Sequence, residues 1–553
     1  MSGKQNQLFW PSGSASFYLL LLGFVYLVIG MFQPLNPYDE GVVSYAAERV
    51  ANGAVPYRDL WIIYAPGQFY SVAGIFHVFG TSVLVERMWD TVMRWGVCLV
   101  VLMISRRLVP KNFVYLPFLV TVVFLGWCGS YGYPVIPAML WSLLTVLLLL
   151  QFHSKRRPLL ALMGGLTTGT TVLYRHDIGT YTFLMAVVGI LFLSFDNSPD
   201  KGRRLANTIS FLKPLLLYAI GVGLLVVPAA LYFIRVVPIS ELRTDFLEYP
   251  RIYSQFRRLP LPPLLPSLSY LHSSVDLYDV WFLFYVPLAI YLISWIRLCR
   301  VRLGYTETLG ADNIFFGQAL LTILGTALMI TAGGRPDTIH CLATTIPASI
   351  LFSGFMSTYL ESIRQRWKSS LVMMLLAALS LPFLLEPCKR WCDDILSDAP
   401  WMFASPVERA RFFRVEPDEA DAIEFIQEHV PSNQAIFVGN SQHHRVFISD
   451  VLFYFLAQRR AGTRFYDFVP GVITTAPVQQ EVISDLERNE VDYVVLRSGF
   501  DLGRKEIPAD SGVTVLDDYL GREYRKTETF GSYSIWQSQT RRPPLKTTGM
   551  LHR

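Results

Sequence analysis

The chain has 553 residues, of which 52% are apolar and 16% charged, with a mean hydropathy of +0.36 and a net charge of +5. Soluble chains carry roughly 25% charged residues, so this composition excludes an ordinary soluble enzyme and a disordered chain, and so small and dispersed a net charge excludes a nucleic-acid partner. The charge is unevenly placed: residues 1–387 hold 28 Lys/Arg and 19 Asp/Glu while residues 388–553 hold 20 and 24, so a membrane-type stretch precedes a soluble-type one.

A polar N-terminus carrying only Lys4 leads into an apolar run over 16–33. No small-residue cleavage site follows it, and Pro34-Leu35-Asn36-Pro37 comes next, which reads as an uncleaved signal anchor. A bilayer-crossing helix needs about 20 mostly apolar residues. Further segments of that kind lie at 88–105, 113–128, 134–152, 159–174, 178–195, 214–236, 278–297, 314–332, 341–360 and 370–387. The expectation is an α-helical polytopic membrane protein of about eleven transmembrane helices over residues 1–387. Gly165 and Gly169 form a small-residue pair that lets two helices approach.

Alternate connections collect the cations: Arg106, Arg107 and Lys111; Lys155, Arg156 and Arg157; Lys201, Arg203, Arg204 and Lys213; Arg297, Arg300 and Arg302; Arg364, Arg366 and Lys368. The short loops opposite hold only Arg175 and Arg335. By the positive-inside rule the N-terminus is cytoplasmic, and the loops 34–87 and 237–277 and everything after 388 lie outside. The short N-terminus and the lack of a retention signal favour a bacterial inner membrane.

Residues 388–540 read as one extracytoplasmic α/β domain. Helices are expected at 417–430, 450–458 and 476–489, and buried strands at 435–438 and 491–496. Residues 541–553 are polar and expected to be a disordered tail. The six cysteines form no framework, Cys388 and Cys392 reading as unrelated thiols rather than a bridge, and no Cys or His pair has zinc spacing. His443 and His444 are expected at the surface of this domain, and no nucleotide-binding loop or Ser-centred elbow appears.

The outward side collects ionisable residues in three segments. The first loop holds Asn36-Pro37-Tyr38-Asp39-Glu40-Gly41 and, later, Pro56-Tyr57-Arg58-Asp59-Leu60-Trp61. Arg175-His176-Asp177 and Arg335-Pro336-Asp337-Thr338-Ile339-His340 follow in two short loops. Each has a plain structural reading. Asp39 and Glu40 suit a helix N-terminus, Arg175 and Asp177 an interfacial ion pair, His176 a satisfied interfacial imidazole, and Arg335 a lipid headgroup. Their gathering on one membrane side favours function, because ionisable groups at membrane depth are costly. A carboxylate accepts a proton from a hydroxyl, and Arg and His hold a phosphate as its charge develops. Together they suit transfer from a lipid phosphate to a hydroxyl.

On these residues the chain resembles the GT-C membrane glycosyltransferases. That group includes the protein O-mannosyltransferases and the lipid A aminoarabinose transferase, and the chain looks most like a bacterial branch of it. The resemblance rests on Asp39-Glu40 after the first span, Pro56 to Trp61 leading to Ala65-Pro66-Gly67, Arg175-His176-Asp177 opening a span, and Asp337 to His340 before another. It implies an inverting hexosyl or pentosyl transfer from a polyprenyl-phosphate sugar to a hydroxyl on a glycolipid, polysaccharide or protein. By it, Asp39 would be the general base, with Glu40 beside it, and Asp59 or Asp177 would position the acceptor or complete the acidic site. Arg58, Arg175, His176, Arg335, Asp337 and His340 would serve the donor phosphate or the acceptor. Relatives often carry an acidic or His residue and a Lys before a Pro-Pro in the first loop. Here Ile62, Ile63 and Tyr64 precede Ala65-Pro66, which argues against a divalent-metal site, so no cofactor is expected. The alternatives are a transporter or flippase of lipid-linked sugars and a non-catalytic membrane partner.

Overall fold

The computed structural model describes residues 14–192, 201–265, 281–302, 312–364, 385–397, 405–446, 448–499 and 510–540. In chain order the helices are α1 (Ser14–Gly30), α2 (Asp39–Ala51), α3 (Gly67–Phe79), α4 (Val83–Leu108), α5 (Leu116–Trp127), α6 (Val135–Lys155), α7 (Pro158–Tyr174), α8 (His176–Phe192) and α9 (Lys201–Val236). They continue with α10 (Ile239–Arg243), α11 (Tyr249–Arg257), α12 (Leu283–Arg302), α13 (Asp312–Gly334), α14 (Thr338–Arg364), α15 (Pro417–His429), α16 (Leu452–Leu456), α17 (Ala476–Arg488) and α18 (Val515–Glu523). Each expected span from 16–33 to 341–360 coincides with one of these helices, whereas 370–387 falls mostly outside the described residues, as do 541–553.

Among the described residues six helices are long and apolar enough to cross a membrane: Val83–Leu108, Val135–Lys155, Leu212–Val236, Leu283–Val301, Asn313–Gly334 and Thr338–Met356. Ser16–Gly30, Lys111–Trp127 and His176–Leu191 are apolar but shorter. The chain is a multi-pass membrane protein.

Two compact units form, each from separate stretches of chain. The first comprises residues 1–34, 64–238 and 258–403, and the second residues 35–63, 239–257 and 404–553. The loop 34–87 is therefore divided, its early half belonging with the C-terminal residues rather than with the helices.

In the first unit α4, α6, α7, α8 and α13 enclose one apolar core. Gly165 brings α7 onto α9, and a Cβ there would strike the Tyr218 carbonyl. Charged residues on one face of α4 are buried, and this is why the helix starts at Val83 rather than at 88. Arg87 donates to the carbonyls of Met31 at 2.8 Å and Pro34 at 3.0 Å. Arg94 pairs with Asp90 and donates to the carbonyls of Cys128 at 2.7 Å, Leu125 and Gly129. Glu86 accepts the Gly132 N–H, and the Gln68 amide donates to the Gly132 carbonyl at 2.7 Å. The charges thus pin the non-helical backbone that connects the spans.

The second unit centres on a five-stranded sheet of order β2-β1-β3-β5-β4. Its strands are β1 (Ala435–Asn440), β2 (Arg460–Ala461), β3 (Tyr493–Arg497), β4 (Tyr524–Phe530) and β5 (Tyr533–Ser538). β2, β1 and β3 are parallel, and the hairpin β4–β5 adds antiparallel to β3. The expected helices and both expected strands appear, joined by β2, β4 and β5.

The loop segment 35–63 is built into this unit. The Leu452 N–H donates to the Pro37 carbonyl at 2.9 Å, the Ala461 N–H to the Tyr45 hydroxyl at 2.6 Å, and the Trp61 N–H to the Arg464 carbonyl at 3.0 Å. Gly41 lies directly against the Val451–Leu452 backbone, where a side chain has no room. Arg409 pairs with Glu48 at 2.6 Å.

His443 corrects the surface expectation. It is fully buried, its Nδ1 2.7 Å from Asp517 and its ring near Phe437 and Phe468. Asp517 also binds the His443 N–H and His444 Nδ1, at 3.0 and 3.1 Å. These bonds hold the Asp517 carboxyl at about 2, overcoming the upward push of burial. All six cysteines are free.

Candidate functional site

In the first unit two short loops carry charge clusters. Arg175 is the single extended residue between α7 and α8, with φ −149° and ψ 108°. Its guanidinium grips Asp177 with two bonds, Nε to Oδ1 at 2.9 Å and Nη2 to Oδ2 at 2.6 Å. It lies over the Tyr64 ring, 5.8 Å from the centroid. His176, at the start of α8, is exposed.

Asp337 organises the second cluster. One oxygen binds Arg335 Nε at 2.6 Å. The other binds His340 Nδ1 at 2.6 Å and the His340 N–H at 3.0 Å, so the same carboxylate caps α14 and fixes the imidazole. Tyrosines link the clusters. Tyr133 lies 6.4 Å from the His340 ring and 5.9 Å from Tyr64, both edge to face. The structure thus brings Arg175, Asp177, Arg335, Asp337 and His340 into one neighbourhood, through Tyr64 and Tyr133. Neither tyrosine was among the candidate site residues read from the sequence.

The other candidates belong to the second unit. Asp39 opens α2 and is partly buried, and its N–H and that of Tyr38 donate to Asn36 Oδ1 at 2.8 and 3.0 Å. Glu40 is fully buried and accepts the Asn36 N–H at 3.0 Å. Asn36 and Glu40 therefore cap the helix start reciprocally and leave Asp39 at its tip. Asp59 is tied into its own turn, accepting from Arg58 Nε and Nη2 at 2.9 and 2.8 Å and from the Val55 N–H at 2.8 Å. The Arg58 bonds hold the Asp59 carboxyl below its usual range. Tyr57 takes a left-handed conformation, φ 70°, inside that turn. Among the described residues no group of three His, Cys, Asp or Glu has the arrangement of a metal site.

An apolar groove of ≈ 760 Å³ runs along α12 and the second half of α14. Leu288, Leu292, Phe352 and Phe355 help line it, and Arg297 lies at one end, 4.5 Å over the Phe355 ring.

No family model and no curated protein matches this sequence. Solved structures do. The ArnT structure from Cupriavidus metallidurans bound to undecaprenyl phosphate superposes with a TM-score of 0.56 over 95% of this chain and 98% of that one, at 13% identity. The chain has the GT-C glycosyltransferase fold. The archaeal oligosaccharyltransferase AglB from Archaeoglobus fulgidus, in complex with an inhibitory peptide and a dolichol-phosphate, is similar too. It gives a TM-score of 0.52 at 13% identity, over 88% of this chain and 70% of that one. The mycobacterial arabinofuranosyltransferase AftD gives 0.51 at 13% identity over 95% of this chain and 40% of its own length.

Proposed function

We propose that the protein is an inverting glycosyltransferase that moves a sugar from a polyprenyl phosphate to a hydroxyl acceptor at the outer membrane face. The observation that carries this reading is α14. The Arg335–Asp337–His340 cluster sits at its N-terminal end, and its second half lines an apolar groove. A ligand with a phosphate head and a prenyl tail matches both chemistries.

In this reading Arg335 and His340 neutralise the donor phosphate as it leaves, and Asp337 keeps both in place. A phosphate leaving group needs charge neutralisation rather than protonation, so no separate acid is required. Asp39 accepts the proton of the acceptor hydroxyl, whose oxygen displaces the phosphate from the far side of the anomeric carbon and inverts it. Arg175 and Asp177 act as a fixed pair that shapes the site beside Tyr64. Glu40 and Asp59 support Asp39 and the first-loop turn rather than taking a proton themselves. The ArnT and AglB structures, described with undecaprenyl phosphate and dolichol-phosphate, favour this donor class.

The test is binding of undecaprenyl phosphate to the purified full chain, read by native mass spectrometry, followed by a screen of polyprenyl-phosphate sugars for release of the lipid phosphate. Retention of the lipid by wild type and its loss in Arg335→Ala support the donor. Equal binding by both proteins refutes the donor site.

A further inference from the structure

Asp245 lies in a π-helical turn, Thr244–Glu248, between α10 and α11. π-Helical turns are rare and often mark a functional segment. Asp245 is 3% exposed, and neither carboxyl oxygen has a hydrogen-bond partner among the described residues. The charged groups that act on it are Arg464, Glu241 and Glu481. Arg464 already pairs with both glutamates, at 2.8 Å from Glu481, so the cation that pulls on Asp245 is shared between two other carboxylates. Burial is the larger effect, and it pushes the Asp245 carboxyl up to about 7 against the pull of Arg464.

The segment 239–257 meets the rest of its unit through the Glu241–Arg464 ion pair and through ring and side-chain contacts. Phe246 meets the Tyr57 ring at 4.9 Å, and Tyr249 meets Trp61 edge-on at 5.8 Å. Ile252 and Phe256 lie over Gly471. Ile239 and Leu247 are uncovered by the rest of the chain, 69% and 61% exposed. A buried carboxylate without hydrogen bonds is costly, whereas the neutral acid costs much less.

We propose that residues 239–257 form a strap that is clasped to the second unit while Asp245 is neutral and released when it ionises. Release uncovers Tyr57 and Trp61, which are fully buried when the strap is clasped. In the released strap the Asp245 carboxyl returns to its ordinary value near 3.8. Clasping is therefore strongest below that value and weakens as pH rises toward about 7, above which the cost is constant.

Hydrogen–deuterium exchange of the full chain tests this, with rates in peptides covering 239–257 corrected for the intrinsic effect of pH. Between pH 5.5 and 8.5 the opening equilibrium should rise on the order of tenfold or more. Asp245→Asn should stay clasped at both values, and Glu241→Gln should keep the wild-type rise. Equal opening of wild type at the two pH values overturns the proposal, even if the variants do not fold. An unchanged rise in Asp245→Asn overturns it as well.

Discussion

Asp337 holds His340 Nδ1 at 2.6 Å with the same oxygen that receives the His340 backbone N–H at 3.0 Å. One carboxylate thus starts a helix and orients an imidazole, while its other oxygen holds Arg335 at 2.6 Å. Capping and charge placement can be separated by mutation. Asp337→Ala should cost about 1 kcal/mol of stability through the lost cap, visible as a lower melting temperature. Arg335→Ala should melt like wild type yet bind undecaprenyl phosphate at least about tenfold more weakly, the effect of one lost charge-assisted bond. Parallel melting and lipid-binding curves check both.

A second prediction concerns α4. Arg94 is 2% exposed, pairs with the equally buried Asp90 and donates to three backbone carbonyls. Arg94→Leu strands the Asp90 charge, so it should destabilise by about 3–5 kcal/mol. Replacing both residues by leucine should recover part of that loss, because no buried charge is left unpaired. Thermal unfolding of the two variants in one detergent measures the difference.

These α4 residues also show what local pattern conceals. The spans were legible, since apolar runs near bilayer length must bury their backbone bonds as helices. The expected start at 88 instead leaves Glu86 outside the span and gives Asp90 and Arg94 no role inside it. Their i, i+4 spacing was the available signal, for it places them on one face. β4 was missed because five of its seven residues are exposed and polar, as befits an edge strand. The union of 35–63 with 404–553 rests on contacts hundreds of residues apart, such as Arg409 with Glu48, and no local periodicity reports those. At the candidate site the residue types and their loops were legible. The helix-start placement of Asp39 and Glu40 was legible too, whereas the tyrosine links and the burial of His443 were not, because each depends on a partner far along the chain.

Asp517 carries a pH signature. Its carboxyl titrates at about 2 in the folded chain against an ordinary 3.8. A depressed carboxyl contributes stability that is complete above the unfolded value and lost as pH falls through the folded one. Asp517→Asn should therefore be roughly 2 kcal/mol less stable than wild type near pH 6. The gap should narrow below about pH 4 and close near pH 2. Melting curves across that range check it, with exchange in peptides spanning 441–446 as a local readout.

The most direct test of the central claim is Asp39→Asn, assayed for donor binding and sugar transfer at equal membrane abundance. The substitution keeps the side-chain shape and the Asn36 bond to its backbone N–H but cannot accept a proton. Lipid-phosphate binding should stay at the wild-type level while transfer falls by roughly 10²–10⁴-fold, the usual contribution of a general base. Wild-type transfer in Asp39→Asn would contradict the account.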